Sequence, residues 1–428
     1  MARAAGIHRT GGGAARVAYA AALVVAVVVS AGAVLLAYRA ANAPVSPTVA
    51  TTSLDARTTR PVGSPATSPA AATATRTSPT RLAVLGPRPI IDTATELPAG
   101  VEVNVTLPDL PQDARALLLE VTLRDAIAPG VVTVRTNVET TAALRLPVAG
   151  AMSSATVVAL VEGDRTVAVR TQGGGRLIMN LAGVFIPADK ATEGRVVTTP
   201  ASPVLKLTPA VDGNDAEIAV ASIPALRGAG PISAVMLNLD GDVGVHGGFV
   251  AMGPSPGRQR QQVFWGATQG ADRTRHGFLV VPVAAGRLHL RYHAGTQLFV
   301  EIVGYVTGRG APESASGLVV PVPASGAQSV TVAANGTAAV PVIRPDDVAT
   351  IPPDRVSAAI VGVLATARQA SGVSVRAPGT TPAGGATLSA AGRPRSMLAL
   401  SGVENGAVSV TSELGATVVV TPRALVLK

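Results

Sequence analysis

The chain has 428 residues, a formal net charge of +9 and no cysteine. The absence of cysteine excludes a disulfide framework, a thiolate zinc site and a cysteine nucleophile. Residues 1–82 contain eight arginines and one aspartate, so they carry +7 of the net charge and leave about +2 for the rest of the chain. Because the basic excess is not spread over a folded surface, we expect no nucleic-acid partner.

The N-terminal segment has the pattern of a membrane anchor. Residues 17–37 form an apolar run, preceded by three arginines and followed closely by Arg39 alone. A helix of this length crosses a hydrocarbon core of about 30 Å. A cleaved signal peptide is the alternative, but Pro44 after the best cleavage site disfavours it. The arginine bias predicts a cytoplasmic segment at 1–16, a transmembrane helix at 17–38 and an extracytoplasmic body.

Residues 39–82 have the composition of a linker. They are rich in Pro, Thr, Ser and Ala and contain few large apolar side chains. Such a segment cannot bury a core, and its prolines favour extended conformations. We therefore expect a stalk that holds the body away from a single-pass cell-membrane anchor.

From residue 83 onward the sequence predicts β-strands. Short segments such as 101–107 and 288–292 alternate apolar and polar residues, with turn residues between them. This period of two is typical of half-buried strands. Only residues 356–368 are compatible with a helical period over three turns. We predict an all-β fold.

The body also repeats itself about every 120 residues. Three similar segments, 173–185, 294–306 and 414–426, each contain a glycine turn followed by an apolar closing strand. We therefore predict three tandem β-sandwich-like domains after the linker. Their predicted ranges are 83–188, 198–308 and 318–428. The connections between them are short and polar, which allows either packed domains or separate ones.

The first repeat contains three motifs at 88–93, 119–134 and 180–185: RPIIDT, a strand pair around APG, and NLAGVF. In these motifs it resembles a repeat found in secreted and cell-surface proteins of actinobacteria. The similarity is smaller in the second repeat, at 237–239 and 303–305, and the third keeps only the strand pattern. The resemblance implies a β-sandwich-like module, and its structural motifs indicate a fold better than a function.

A serine motif is the clearest sign of catalysis in the sequence. Residues 253–257, GPSPG, match the nucleophile elbow GxSxG. However, Pro256 directly after Ser255 removes the backbone N–H that an oxyanion hole needs, and the following residues do not predict a helix. We interpret the segment as a surface loop and expect no catalytic residue.

Histidines are concentrated in the second repeat. His289, Arg291 and His293 share one face if this segment is a strand. With Asp240 and Asp242 as carboxylate donors, these histidines form a candidate metal site. A solvated strand face explains the same pattern, and the spacing matches no established signature. We therefore predict neither a metal nor a cofactor.

The second repeat also contains most of the aromatic residues. Trp265 and Tyr292, with Arg291 and His293 nearby, are the candidate ligand-binding residues, because exposed aromatic rings beside charged groups suit a sugar or a protein partner. The alternative is that the aromatic side chains fill the core of this repeat.

Together these patterns predict a non-catalytic, membrane-anchored cell-envelope protein. Its β-domains would scaffold or bind other surface components. The first alternative is a protein that binds carbohydrate or cell wall through the second repeat. An unrecognised hydrolase is a further alternative.

Overall fold

The computed structural model describes residues 78–428, except for 147–148, 164, 208–213, 243–247, 257–260, 266–273, 294–296, 345–350, 370, 379–385, 390–391 and 393. The predicted cytoplasmic segment, the transmembrane helix and nearly all of the linker lie outside these residues. Among the described residues, no helix is long and apolar enough to span a membrane. Residues 67–428 form a compact unit of their own.

The described part of the chain is built from antiparallel β-strands with a few short 3-10 turns. This confirms the all-β prediction. The segment that was compatible with a helix is instead strand β19 (Val356–Thr366). Its two faces are both buried, because Val361 points into the core of its own repeat and Ile360 points into a second core. A strand buried on both faces is continuously apolar, which hides the period of two.

The first repeat contains eight strands. Four of them, ordered β6-β3-β8-β1, belong to a 15-stranded sheet that continues into the other two repeats, and the other four form a separate sheet ordered β2-β7-β4-β5. Its first strand begins slightly before the predicted boundary at residue 83. The strands are β1 (Thr80–Asp92), β2 (Glu102–Thr106), β3 (Ala116–Arg124), β4 (Gly130–Arg135), β5 (Thr140–Leu146), β6 (Ser153–Leu160), β7 (Thr166–Thr171) and β8 (Arg176–Pro187).

The second repeat has the same arrangement, with sheets ordered β14-β11-β16-β9 and β10-β15-β12-β13. Two 3-10 turns, η1 (Val220–Ser222) and η2 (Pro224–Leu226), lie between its second and third strands. The strands are β9 (Val196–Leu207), β10 (Asn214–Ala219), β11 (Ile232–Asp242), β12 (Gly248–Gly253), β13 (Gln261–Trp265), β14 (Thr274–Pro282), β15 (Arg287–His293) and β16 (Gln297–Thr307).

The third repeat follows the same order but merges its last two strands into one. The first half of the long strand β23 pairs with β18 and β20, and its second half pairs with β17 and β19. Two more 3-10 turns are η3 (Ala324–Gly326) and η4 (Pro353–Arg355). The remaining strands are β17 (Val319–Pro321), β18 (Gln328–Pro341), β20 (Gly372–Arg376), β21 (Ala386–Ser389), β22 (Arg395–Gly402) and β23 (Ala407–Leu427).

In every repeat the sixth, third, eighth and first strands form one sheet, and the second, seventh, fourth and fifth strands form the other. This is the order of an eight-stranded, double-sheet jelly roll. A separate hydrophobic cluster lies between the two sheets of each repeat. Alternate residues of each strand point into that cluster, as the period of two requires.

A fourth hydrophobic cluster joins the three repeats, and we call it the shared core. Leu118, Met236 and Ile360 occupy the same register position in the third strand of each repeat, opposite Gly183, Gly304 and Ala424. Seven buried residues from each repeat form this cluster: Leu82, Ala116, Leu118, Val158, Leu160, Ala182, Phe185, Val196, Ala234, Met236, Phe278, Val280, Val303, Val306, Val319, Ala358, Ile360, Leu398, Leu400, Ala424 and Val426.

The two connections between repeats are fixed in the same way. The Leu82 amide donates to the Gly194 carbonyl at 2.7 Å, and the Val196 amide donates to the Gly317 carbonyl at 2.7 Å. Both glycines have φ of +85°, and a Cβ on either would lie less than 3.0 Å from a backbone oxygen. Only glycine tolerates this conformation and this close approach. The connections therefore hold the repeats against each other, and the repeats are not separate domains on flexible links.

Candidate functional site

Strand β15 carries three of the four residues for which the sequence suggested a ligand-binding role. Its residues Leu288, Leu290 and Tyr292 point into the core of the second repeat, and Tyr292 is only 3% exposed. The Tyr292 ring, one of the candidate ligand-binding groups, therefore has almost no accessible face in this structure. It fills the core, as the alternative interpretation stated.

The outer face of β15 carries charged side chains that lie opposite the carboxylates of β10. Arg291 is exposed and lies directly opposite Asp215 of β10. His289 lies opposite Glu217, with its Nε2 3.7 Å from a Glu217 carboxylate oxygen. The Glu217 carboxylate also pairs with Arg287. Exposed ion pairs of this kind contribute little to stability and give no pocket.

Trp265 and His293, the other two candidates, lie at the ends of strands. Trp265 is the last residue of β13, and its backbone pairs with Gly248 and with Ser153 of the first repeat. His293 is the last residue of β15 and pairs with Phe249. Trp265 and His293 therefore lie on the two strands that flank β12, at adjacent register positions.

The carboxylate proposed for a metal site points away from the histidines of β15. Asp240 lies on β11, in the other sheet of the repeat, where its neighbour Leu239 faces the core between the sheets. Its carboxylate is instead hydrogen-bonded to His276 Nδ1 on β14. Among the described residues, no group of three potential ligands converges. His289 and Asp240, two members of the candidate metal site, therefore lie in different sheets of the repeat.

The serine of the GxSxG match follows a strand. Ser255 lies two residues after the end of β12, in a bend that includes Pro254 and Pro256. The described residues of the match, 253–256, form no helix.

A polar cluster lies beside the shared core in the second repeat. Asp240, His276 and Glu301 come from three adjacent strands, and the His276 side chain is only 5% exposed. Burial, and then the nearby Asp240 carboxylate, raise the pKa of Glu301 to about 7. The buried side chain of Asn238 lies directly opposite Glu301 in the sheet. The Glu301 carboxyl therefore gains or loses its proton near neutral pH. Phe278, directly opposite Asn238 in the same sheet, belongs to the shared core.

A second polar contact joins the first and third repeats across a cleft of about 240 Å³. Each repeat has an irregularity in its closing strand at the same place, and the extra residues there are Ala182, Val303 and Arg423. Only in the third repeat is this residue charged. The Arg423 guanidinium donates to Thr141 at 3.1 Å and lies 3.5 Å from the Glu139 carboxylate.

The larger cleft of about 430 Å³ lies in the first repeat, and we call it the β1–β2 cleft. It opens between β1 and β2, where residues 85–87 of β1 loop out of the pairing with β8. Nine of its fifteen lining residues are aliphatic, and several of these belong to the core of the repeat. They include Leu85, Ile90, Val105, Leu107, Leu110 and Ile186.

The mouth of the β1–β2 cleft carries the charged groups. Arg88 Nη1 donates to Asp109 Oδ2 at 2.8 Å, and both side chains are more than half exposed. Arg165 donates to the Pro108 carbonyl at 2.6 Å, which places a second guanidinium beside the same segment. An apolar interior with a few polar groups at its entrance is the usual form of a small-molecule site. Sequence reasoning missed this site because its residues were interpreted as a structural motif.

No family model and no curated protein matches this chain. Several solved structures are distantly similar. An archaeal virus protein described as a triple jelly roll is 9% identical, covers 81% of this chain and 91% of its own, and has a TM-score of 0.17. A tandem CBM22 domain of Paenibacillus barcinonensis Xyn10C is 11% identical, covers 48% and 82%, and has a TM-score of 0.14.

A third similar structure comes from Sulfolobus turreted icosahedral virus. It is 8% identical, covers 50% of this chain and 89% of its own, and has a TM-score of 0.15. Scores this low carry no argument about function. The jelly-roll assignment rests on the strand order of the chain itself.

Proposed function

We propose that this protein is a non-catalytic, membrane-anchored envelope protein whose three repeats form one rigid extracytoplasmic body. The observation that carries the proposal is the shared core, to which each repeat contributes seven buried residues. Three domains that share a core keep fixed relative positions, which suits a scaffold that presents several surfaces at once. Flexible domains on links would suit independent binding modules better.

The shared core accounts for how an extracytoplasmic chain without cysteine could be stable. Exported proteins commonly use disulfides for stability. This chain has no cysteine and so forms no disulfide. A larger body buries a larger fraction of its surface than three small domains do separately. Burial among the repeats therefore replaces covalent crosslinks as the source of stability.

The absence of cysteine makes the membrane topology directly testable. Ser329 is exposed on β18, and Ala4 lies in the predicted cytoplasmic segment. We expect a membrane-impermeant maleimide to label Ser329→Cys in intact cells and Ala4→Cys only after permeabilisation. The wild-type chain gives no background, since it has no thiol. Equal labelling of both variants in intact cells, or labelling of neither, contradicts the proposed topology.

The scaffolding role has a separate test. A photocrosslinker at Ser329 in intact cells should give discrete adducts with a few surface components. A matched crosslinker at Ala4 should give a different set. If the Ser329 position gives no adduct above background, the body does not contact other envelope components through this face, and the scaffold proposal fails for it.

A further inference from the structure

We propose that the β1–β2 cleft of the first repeat binds a single aliphatic chain with an anionic head group. This inference goes beyond the scaffolding role and does not rest on it, because the cleft is defined within the first repeat alone. Two features of the cleft support it: the chemistry of its walls and the charge at its mouth.

The walls select an aliphatic ligand. All residues that line the cleft are aliphatic, proline or threonine, apart from Arg88 and Asp109 at the mouth. The cleft contains no aromatic ring, so it offers no stacking platform for a sugar or a nucleobase. It also lacks the many hydrogen-bonding groups that a polar ligand requires once it is removed from water. A flexible hydrocarbon chain satisfies such a surface by burial alone.

The mouth selects an anionic head. Arg88 and Asp109 are the charged residues that line the cleft. The Arg165 guanidinium is outside this lining but donates to the carbonyl of Pro108, which lines it. The ion pair between Arg88 and Asp109 is exposed, so it is weak and exchanges easily. A carboxylate or phosphate head can therefore take the place of Asp109 on the Arg88 fork, which is shaped for planar oxygen pairs.

The connection between the second and third strands forms one wall of the cleft. It contains two turns, in which the Leu110 amide donates to the Leu107 carbonyl and the Ala114 amide donates to the Pro111 carbonyl, both at 3.2 Å. Leu110 is buried in the core of the repeat and also lines the cleft. A volume of about 430 Å³ lies beside this wall, which is room for an aliphatic chain.

Binding can be measured on residues 67–428, which form a compact unit and contain all four hydrophobic cores. The probe is dodecanoate in isothermal titration calorimetry, without detergent. We expect saturable binding of one molecule per chain. Val105→Trp should abolish it by filling the cleft. Val103→Trp is the matched control, because Val103 lies on the same strand and packs on the same core but does not line the cleft.

Substitutions at two exposed residues test the head-group assignment, because changes at exposed positions leave the fold intact. Arg88→Gln should weaken dodecanoate binding about tenfold, the value of one charge-assisted hydrogen bond. Asp109→Asn should strengthen it, because the competing carboxylate is removed. Dodecyl phosphate in place of dodecanoate distinguishes the two anionic heads, and binding of either supports the proposal. Dodecyltrimethylammonium should bind much more weakly than both anions.

Several results would overturn the proposal. If neither anionic probe binds, the cleft is not a binding site for such ligands. If Val105→Trp and Val103→Trp bind the probe equally well, the ligand does not occupy this cleft. If dodecyltrimethylammonium binds as tightly as the anionic probes, the site does not select an anionic head group. A second copy of the chain is another possible occupant. If the wild type is a dimer in light scattering and Val105→Trp is a monomer, that copy fills the cleft and the ligand assignment is wrong.

Discussion

Arg423 near the C-terminus of the third repeat forms an ion pair with Glu139 of the first repeat, and both side chains are at most 10% exposed. The Glu139 carboxylate also accepts hydrogen bonds from the Leu160 amide at 3.0 Å and the Ala324 amide at 2.9 Å. Burial lowers the pKa of the Arg423 guanidinium, and the Glu139 carboxylate opposes this effect. One carboxylate thus connects two repeats that are far apart in the sequence.

This pair predicts an asymmetric response to mutation. Glu139→Ala leaves the buried guanidinium without its counter-charge and two amides without their acceptor, so we expect the free energy of unfolding to fall by about 3–5 kcal/mol. The double variant Glu139→Gln with Arg423→Met should recover most of this loss, because no buried charge remains. Urea denaturation of residues 67–428 measures both.

The exposed pair of Glu102 with Arg135 is the matched control. Glu102→Ala should change the free energy of unfolding by less than about 1 kcal/mol. If Glu139→Ala is as mild as Glu102→Ala, the buried pair does not stabilise the contact between repeats.

The polar cluster beside the shared core predicts a pH dependence. The pKa of Glu301 rises from 4.5 in the unfolded chain to about 7 in the folded protein. The folded state therefore binds the Glu301 proton more tightly than the unfolded chain does. The contribution of Glu301 to stability is full below pH 4.5 and is lost as the pH rises through 7. Because Glu301 is partly exposed, we expect this loss to be about 1–2 kcal/mol.

Glu301→Gln should remove this loss of stability, since glutamine does not ionise. Denaturation midpoints at pH 5 and pH 8 measure the difference. Glu313→Gln, at an exposed position in a connection, should retain the wild-type pH dependence. A wild-type profile that matches that of Glu301→Gln between these two pH values contradicts the elevated pKa.

A glycine in the turn before β8 predicts a local packing effect. A Cβ on Gly173 would lie 2.1 Å from the Ala128 carbonyl oxygen. Gly173→Ala must therefore displace the backbone, and we expect it to lower the free energy of unfolding by about 1–3 kcal/mol. Gly230 has open space around its Cβ position. Gly230→Ala should change the free energy of unfolding by less than about 0.5 kcal/mol. Thermal denaturation of the two variants compares them, and equal midpoints contradict the close approach.

The sequence predicted the all-β fold because strand alternation is a local property that a single segment shows. The contact among the repeats could not be predicted in this way. Ile360 and Val361 are adjacent and similar, yet one lies in the shared core and the other in the core of its own repeat. Nothing in the segment distinguishes a strand buried on both faces from a helix buried in a core.

The candidate ligand residues illustrate the same limit. The period of two correctly places Arg291 on the outer face of β15, but Tyr292 beside it is in the core. The β1–β2 cleft depends on how far the loop after β2 stands from β1. That distance is set by packing between sequence-distant segments, such as those that carry Leu85 and Leu110 on the walls of the cleft. Aliphatic residues in these segments look like ordinary core residues in the sequence.

The central claim is that the three repeats form one body because they share a core, and calorimetry tests it most directly. Residues 67–428 should unfold in a single transition, with equal calorimetric and van't Hoff enthalpies. Met236→Ala truncates a side chain that the second repeat contributes to the shared core. We expect it to shift the whole transition to lower temperature and to lower the free energy of unfolding by about 2–5 kcal/mol. Two or more transitions in the wild type, with only one of them shifted by Met236→Ala, would contradict the claim.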